Sequence, residues 1–245
     1  MRSYAIAATL RFLALLAVLV LVGSVFSCAA QKSAHIPTDT DTHPSQKRLT
    51  VVLDAGHGGE DGGAVSESGL FEKDLNLAMS EKLKNLFEAN GVTVVMTRET
   101  DILLYDRTVD FKGRKKALDL LARRRIGEAN PNAIFISIHM NSYPESRYSG
   151  LQVFYSPNDP LSETLAMEIR QNTRQYIQPN NNREIKAATS SIYLLDRLQC
   201  PAVLVECGFL SNPEESILLT KHDYQQQVAF VLFCSVMSYI SEQNA

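Results

Sequence analysis

Two histidines and one glutamate of this chain each follow a run of apolar residues that is typical of a β-strand. His57 comes shortly after the first such run, His139 directly follows a later one, and Glu206 directly follows the last. Imidazole and carboxylate groups are ordinary zinc ligands, and a site with three protein ligands leaves a coordination position for water. A carboxylate that is not a ligand is free to carry protons. With one more carboxylate, these residues predict a zinc-dependent hydrolase.

The residue types alone do not identify that additional carboxylate. The glycine-rich loop around His57 is followed by several acidic residues, and Glu60, Asp61, Glu67 and Glu72 are all candidates. The glycines let the backbone turn tightly and approach a ligand. A phosphate-binding loop is the rival interpretation, but no Lys-Ser or Lys-Thr pair follows, and the nearby carboxylates would repel phosphate. The loop is therefore better interpreted as part of a metal site.

Segments typical of strands and helices alternate along residues 49–245. We predict strands at 49–53, 92–96, 133–138, 151–155, 192–195 and 202–205, and helices at 74–89, 118–129, 161–176 and 224–240. The inner strands are apolar at nearly every position, as in parallel sheets that are covered on both sides. The sequence therefore predicts a single α/β domain with a mostly parallel sheet of about six strands and helices on both faces. Ligands of such sheets bind beyond the carboxyl ends of the strands, where His57, His139 and Glu206 would converge.

The composition is that of one globular domain. The chain has 245 residues, of which 45% are hydrophobic and 21% are charged, and this is enough for a single core. The formal net charge of −3 argues against a nucleic-acid partner, which would need a clustered basic face. Basic residues, among them Arg123, do concentrate at 112–125, but Asp119 and Glu128 accompany them. We therefore interpret this segment as the solvent-facing side of a helix.

The N-terminal segment predicts export. Arg2 and Arg11 precede an uncharged stretch at 12–30, which has the pattern of a signal peptide and is long enough to be a single membrane anchor. Small residues at its end offer a cleavage site, and Cys28 ends a segment that resembles a lipoprotein box. Residues 31–48 are polar and are predicted to form a disordered linker. Each route places the remaining residues outside the cytoplasmic membrane, and membrane contact would come through the N-terminal segment.

The four cysteines do not suggest a disulfide framework, because their number is low for a chain of this length. Cys207 and Cys234 lie in apolar segments and are expected to be small buried side chains. Pairing of Cys200 with Cys207 stays open at this point.

Five segments of the chain occur together in an informative order. They are Leu-Asp-Ala-Gly-His-Gly-Gly-Glu-Asp-Gly-Gly-Ala at 53–64, Glu-Lys-Asp at 72–74, Met-Thr-Arg at 96–98, Ser-Ile-His-Met-Asn at 137–141 and Pro-Ala-Val-Leu-Val-Glu-Cys-Gly-Phe-Leu-Ser-Asn-Pro at 201–213. In these segments the chain resembles the zinc-dependent N-acetylmuramoyl-L-alanine amidases of bacterial cell walls, over roughly residues 49–241. Spacing and short loops are most similar to the family members of spore-formers that act in germination.

The resemblance implies a role for each of the four groups. His57, Glu72 and His139 would be the ligands of Zn²⁺, which selects Glu72 from the acidic candidates, and Glu206 would be the catalytic carboxylate. The resemblance also implies a twisted sheet, and it makes residues 49–245 the catalytic domain. The substrate would be peptidoglycan, cut between the lactyl group of N-acetylmuramic acid and L-alanine of the stem peptide. Glu206 would take a proton from water and pass it to the leaving amine.

Further expectations concern the surroundings of the site. Metal-binding imidazoles need hydrogen-bond acceptors behind them, and the sequence offers Asp54 and Asn141 as candidates. The interval between His139 and Glu206 is too short for the long helical insert that plugs the site in some members of the family. A polar loop at 178–191 could gate the groove instead.

Two other functions stay open on the sequence alone. A non-catalytic peptidoglycan-binding module could keep the same fold, and a zinc carboxypeptidase acting within the stem peptide could use the same ligand set. No protein partner is deducible from the sequence.

Overall fold

A computed structural model describes residues 49–106, 108 and 112–243. Six strands and six helices occur in this part of the chain, in the order β1 (Thr50–Ala55), α1 (Glu72–Ala89), β2 (Thr93–Met96), α2 (Lys115–Glu128), β3 (Ile134–Asn141), β4 (Gln152–Tyr155), α3 (Leu161–Tyr176), β5 (Lys186–Ala187), α4 (Tyr193–Arg197), β6 (Ala202–Phe209), α5 (Pro213–Leu219) and α6 (His222–Gln243). The predictions for residues 1–30 and 31–48 lie outside the described residues. No helix in the described ranges has the length and apolar character to cross a bilayer.

The strands form one sheet in the order β2-β1-β3-β6-β4-β5. β2, β1, β3 and β6 are parallel neighbours, whereas β4 runs antiparallel to β6 and β5 runs parallel to β4. The predicted α/β fold with a mostly parallel sheet of about six strands is confirmed. The carboxyl ends of β1, β3 and β6 therefore lie side by side at one edge of the sheet.

Alternation along the strands gives the sheet two different faces, because successive side chains point in opposite directions. The larger apolar cluster contains Val51, Ile136 and Val205 and is covered by α1, α3 and α6. The smaller cluster contains Val52 and Phe135 and is covered by α2 and α4. Helices thus lie on both faces, as predicted.

The face with the smaller cluster becomes polar towards the carboxyl ends of the strands. Along β3, Phe135 is followed on this face by Ser137 and then by His139. The register pairs Asp54 of β1 with Ser137, and Glu206 of β6 with His139. A row of polar side chains therefore crosses three neighbouring parallel strands.

Three local predictions differ from the structure, one of them at β5 (Lys186–Ala187), which lies in the segment 178–191 that was predicted to be a loop. The strand predicted at 192–195 is wrong, because Tyr193–Arg197 forms the short helix α4, in which Leu194 and Leu195 are buried. A short apolar run cannot by its period distinguish a strand from a helix. Helix α5 was not predicted, although Asn212 caps it by accepting a hydrogen bond of 2.9 Å from the Glu215 N–H and Pro213 occupies its first turn.

The cysteines of the described residues are free. Cys200 and Cys207 are buried thiols, so the pairing left open by the sequence does not occur, and Cys234 is partly buried. Burial raises the pKa of Cys200 to about 11 and raises that of Cys207 as well. These thiols are therefore small core side chains rather than reactive groups.

Candidate metal centre

His57, Glu72 and His139 converge at the carboxyl edge of the sheet. Each offers one ligand atom, and these three atoms all lie within 4.8 Å of one another. Glu72 Oε1 is 2.8 Å from His139 Nδ1 and 3.3 Å from His57 Nε2. The three side chains come from the loop after β1, the first residue of α1, and β3. Two imidazole nitrogens and one carboxylate oxygen are a donor set that suits a divalent zinc ion.

Glu206 lies beside this group without belonging to it. It pairs in register with His139, and both side chains project from the same face of the sheet. Both strands continue past these residues, so His139 and Glu206 lie inside the strands rather than after their ends. Oε2 of Glu206 is buried and has no hydrogen-bond partner within the described ranges. Burial raises the pKa of this carboxyl to about 7, although the nearby His139 acts in the opposite direction.

The site opens into a cavity of about 440 Å³. His57, His139 and Glu206 line one side of the cavity, and residues of α2 and α4, such as Leu120 and Tyr193, line the other. An orphaned buried carboxylate oxygen and a three-donor cluster thus face the same space. This arrangement fits a site that holds a metal ion, a water molecule and part of a substrate together.

Comparison with known proteins identifies the group to which the chain is related. A family model described as N-acetylmuramoyl-L-alanine amidase matches residues 51–233. The chain belongs to this family. The resemblance seen in the motifs is therefore confirmed, and the reaction class of the enzyme is that of an N-acetylmuramoyl-L-alanine amidase.

Individual relatives agree with the family assignment. The germination-specific N-acetylmuramoyl-L-alanine amidase of Bacillus subtilis is 36% identical over 194 residues, which cover 79% of this chain and 81% of the relative. The CwlD amidase of Clostridioides difficile, solved in complex with the GerS lipoprotein, is 39% identical with a TM-score of 0.74, over 79% of this chain and 99% of that one. An N-acetylmuramoyl-L-alanine amidase of Clostridium difficile 630 is 27% identical with a TM-score of 0.69, over 79% and 97% of the two chains.

Glycine is required where the amidase loop passes the candidate ligands. A Cβ atom at Gly56 would lie 2.3 Å from Cε1 and Nε2 of His139, far inside contact distance. A Cβ atom at Gly63 would lie 2.5 Å from Glu72 Oε2, and its φ of +67° also favours glycine. Since the Cβ at Gly63 would also lie 2.8 Å from Cδ2 of His57, the loop glycines allow the backbone to pack directly against all three side chains.

We expect Gly56→Ala to weaken zinc binding by about 10- to 100-fold, the range seen when groups that orient metal ligands are lost. The added methyl group must displace the His139 ring from its position beside Glu72. Titration with zinc against a competing chelator measures the effect. Gly69→Ala is the control, because nothing lies within 4 Å of the new Cβ there, and its φ of +83° makes any general loss of folding at least as large as at Gly56, whose φ is not positive. Equal zinc affinity in both variants would contradict the close approach at Gly56.

The carboxylate behind His57 is that of Asp61, which the sequence analysis did not assign to this role. Asp61 Oδ2 lies 2.9 Å from His57 Nδ1, while Nε2 of the same ring faces Glu72. Burial alone would lower the pKa of His57, but the neighbouring carboxylates of Asp61 and Glu72 outweigh it and raise this pKa to about 9. Asp61 thus directs Nε2 towards the centre. Its position four residues after the histidine in the same loop was the available signal.

The predicted role of Asp54 as an imidazole acceptor is wrong. Its carboxylate accepts hydrogen bonds from Thr97 at 2.8 Å, from Ser137 at 2.6 Å and from Arg123 at 2.7 Å. Burial would raise the pKa of Asp54, but Arg123 and Ser137 hold it below its ordinary value. At neutral pH Asp54 is thus a charged group beneath the site. Asn141, the other candidate, lines the cavity.

Arg123 belongs to the interior, which corrects the interpretation of residues 112–125 as a solvent-facing helix side. Arg123 is 1% exposed and Asp119 is 2% exposed. Arg123 Nε lies 2.7 Å from Asp119 Oδ2, and its two Nη atoms donate to the carbonyl oxygens of Ala55 and His57 at 2.7 and 2.6 Å. One buried cation therefore links α2 to the loop that carries His57.

A second buried arginine fixes the same loop from the other side. Arg98 donates to the carbonyl oxygens of Ala55 at 2.9 Å, Gly56 at 3.0 Å and Lys73 at 2.7 Å. The three successive carbonyls from Ala55 to His57 are thus all held by guanidinium groups. This helps to hold His57 at a φ of 60°, an uncommon conformation for a residue other than glycine.

Proposed function

We propose that this protein hydrolyses the amide bond between the lactyl group of N-acetylmuramic acid and L-alanine in peptidoglycan, with zinc held by His57, Glu72 and His139 and with Glu206 as the general base and acid. The observation that carries the proposal is the convergence of the three donor atoms within 4.8 Å, next to a buried carboxylate oxygen that has no other described partner. Family membership supplies the reaction class.

The residues present fit a catalytic rather than a structural zinc ion. Structural sites use four protein ligands, whereas catalytic sites use three and keep a position for water or substrate. The cluster offers three ligands, and the cavity in front of it leaves room for a substrate. When bound, zinc supplies Lewis-acid chemistry, which polarises the scissile carbonyl and makes water more acidic.

The remaining chemistry falls to the side chains of the chain itself. Glu206 accepts a proton from the attacking water through its unpartnered Oε2 and delivers that proton to the leaving amine. Asp61 keeps the His57 ring oriented, and the arginines beneath the loop keep its backbone in place. Leu120, Tyr193 and Leu204 in the cavity wall limit the access of bulk water.

The biological setting belongs to the same proposal. The 36% identity to a germination-specific amidase supports a role in spore cortex remodelling. Peptidoglycan lies outside the cytoplasmic membrane, which agrees with export or anchoring through residues 1–30, with 31–48 as a linker and 49–245 as the catalytic domain.

The products of wall digestion test the proposal. The full-length protein should release intact stem peptides with a free L-alanine amine, identified by mass spectrometry. Chelation should stop the reaction and added zinc should restore it. Release of single amino acids from the stem peptide would instead identify a carboxypeptidase, and wall binding without any new amine would identify a non-catalytic module.

His139→Ala tests the metal assignment without depending on turnover. We expect zinc content to fall from about one ion per chain to near none, because one of three ligands is lost. His222→Ala is the matched control, since the His222 side chain is 70% exposed at the start of α6. Zinc retained at the wild-type level by His139→Ala would rule out this ligand set.

A further inference from the structure

Arg183 presents an immobilised guanidinium group beside Phe209, at the carboxyl end of β6. It lies between α3 and β5, and its Nε donates a hydrogen bond of 2.6 Å to the carbonyl oxygen of Ser149. The guanidinium carbon is 4.3 Å from the ring centre of Phe209 and 5.8 Å from that of Tyr148. Stacking on an aromatic ring and a backbone hydrogen bond together fix the plane of the guanidinium.

The charge of Arg183 has no ion-pair partner in the part of the chain that the structure describes. No carboxylate oxygen of those residues lies within 4 Å of its guanidinium nitrogens, whereas Arg147 lies 2.9 Å from Glu145 and Arg170 contacts Glu184. The hydrogen bonds described for the Arg183 side chain use only Nε and, at 3.4 Å, Nη1. Nη2 is therefore available to a ligand.

The nearest acidic influence on Arg183 comes from Glu215, whose carboxylate is already used. Its oxygens accept hydrogen bonds from the backbone N–H groups of Gly150 at 2.9 Å and Phe209 at 2.8 Å. Burial lowers the pKa of the Arg183 guanidinium, and the attraction of Glu215 offsets this only in part. The guanidinium has thus lost part of its hydration without gaining a close counter-ion, a combination that favours anion binding.

A cross-strand pair connects Arg183 to the catalytic carboxylate. Its Nη1 lies 3.4 Å from Gln152 Oε1, and Gln152 is the antiparallel partner of Glu206 in the β4–β6 ladder. Directly opposed residues project from the same face of a sheet. The order across this face is therefore His139, Glu206, Gln152 and then Arg183. Since neighbouring strands lie about 4.8 Å apart, the guanidinium is on the order of 10 Å from Glu206.

We propose that Arg183 binds a carboxylate of the stem peptide and thereby selects acidic peptides over amidated ones. This inference rests on the proposed function. In that substrate the lactyl carboxyl is consumed in the amide bond and the sugar carries only neutral groups, so free carboxylates lie on the peptide side. An extended residue spans about 3.5 Å. The distance from Glu206 to the guanidinium therefore corresponds to one or two peptide residues beyond the cleaved bond, together with the side chain that carries the bound carboxylate.

Paired muropeptide fragments that differ only in a stem carboxylate or carboxamide test this subsite. Wild type should show the lower KM for the carboxylate fragment. Arg183→Gln should raise that KM by about 10- to 100-fold, the effect of one charge-assisted contact, while kcat and the KM for the carboxamide fragment stay within about twofold. Arg147→Gln is the control, because this neighbouring arginine is 77% exposed and already paired with Glu145.

Any of three results would contradict the proposed subsite. The first is an equal KM of the wild type for the two fragments, and the second is an unchanged KM of Arg183→Gln for the carboxylate fragment. The third is an equal increase of KM for both fragments in Arg183→Gln. If Arg183→Gln does not fold, Arg183→Lys keeps the charge but loses the planar fork, and it should lose a smaller part of the preference. Calorimetric binding of both fragments to the Glu206→Gln chain separates the two proposals, because it tests the preference even if no cleavage occurs.

Discussion

Replacing Glu206 with glutamine is expected to lower kcat by about 10²- to 10⁴-fold while zinc content stays at the wild-type level. Proton transfer by a positioned carboxylate contributes this much to a rate, and glutamine keeps the size of the side chain without its basicity. Zinc should remain bound because Glu206 is outside the group formed by His57, Glu72 and His139. Turnover of purified wall and metal analysis of the same preparation measure the two effects.

Two other glutamate variants make this result specific. Glu72→Gln should lose zinc together with activity, since Glu72 Oε1 faces both imidazoles. Glu215→Gln removes another buried carboxylate and should lower the free energy of unfolding. The two carboxylate oxygens of Glu215 accept hydrogen bonds from two backbone N–H groups, whereas the glutamine side chain has only one oxygen to accept them. Its kcat per bound zinc should remain that of wild type. A Glu206→Gln enzyme with wild-type turnover would eliminate the proposed mechanism.

The pH profile offers a second measurement on Glu206. A general base works only when it is deprotonated, so the rate should fall as the pH drops below its pKa. Burial raises that pKa to about 7, and the charge of a bound cation would lower it. We therefore expect an acid limb with its midpoint at or below about pH 7, and this limb should be missing from the residual activity of Glu206→Gln.

The sequence was sufficient to predict the main chemical groups because each lies close to the end of a strand. Three apolar runs predicted neighbouring parallel strands. Side chains at the carboxyl ends of such strands lie together at one edge of the sheet. His57, His139 and Glu206 do meet there. The fourth group needed the family resemblance, because nothing local distinguishes Glu72 from the other acidic residues. In the structure Glu72 opens α1, and its Oε2 accepts the Ala64 N–H at 2.8 Å.

Residues that act through tertiary contacts escaped sequence-based prediction. Arg123 is followed by two further arginines, and such a run is ordinarily a solvated surface. The helix instead turns Asp119 and Arg123 inwards, because Asp54 provides a charge beneath the site that can be paired. The spacing of four residues between Asp119 and Arg123 was visible, but the polar character of the opposing sheet face was not. Arg183 was hidden for the same reason, since its partners come from distant segments.

Arg123→Met is expected to destabilise the folded protein by about 3–5 kcal/mol, the cost of leaving a buried charge uncompensated. The carboxylates of Asp54 and Asp119 would keep their burial but lose the cation that lies 2.7 Å from each. Denaturant unfolding measures the difference in free energy. Arg124→Met is the control on the same helix, since its ion pair with Glu128 is partly exposed and should contribute much less to stability.

The pH dependence of the stability lost in Arg123→Met tests whether this loss is electrostatic in origin. In wild type the pKa of Asp54 is held below its ordinary value of 3.8, so its contribution is present above that pH and is lost as the pH falls through the lowered pKa. Without Arg123, burial becomes the dominant influence and raises the pKa of Asp54, so acid favours the folded variant. The stability gap between the two proteins should therefore narrow as the pH is lowered. A gap that stays constant with pH would show that Arg123 acts through packing of its aliphatic stem, and that its charge is not what holds α2 to the His57 loop.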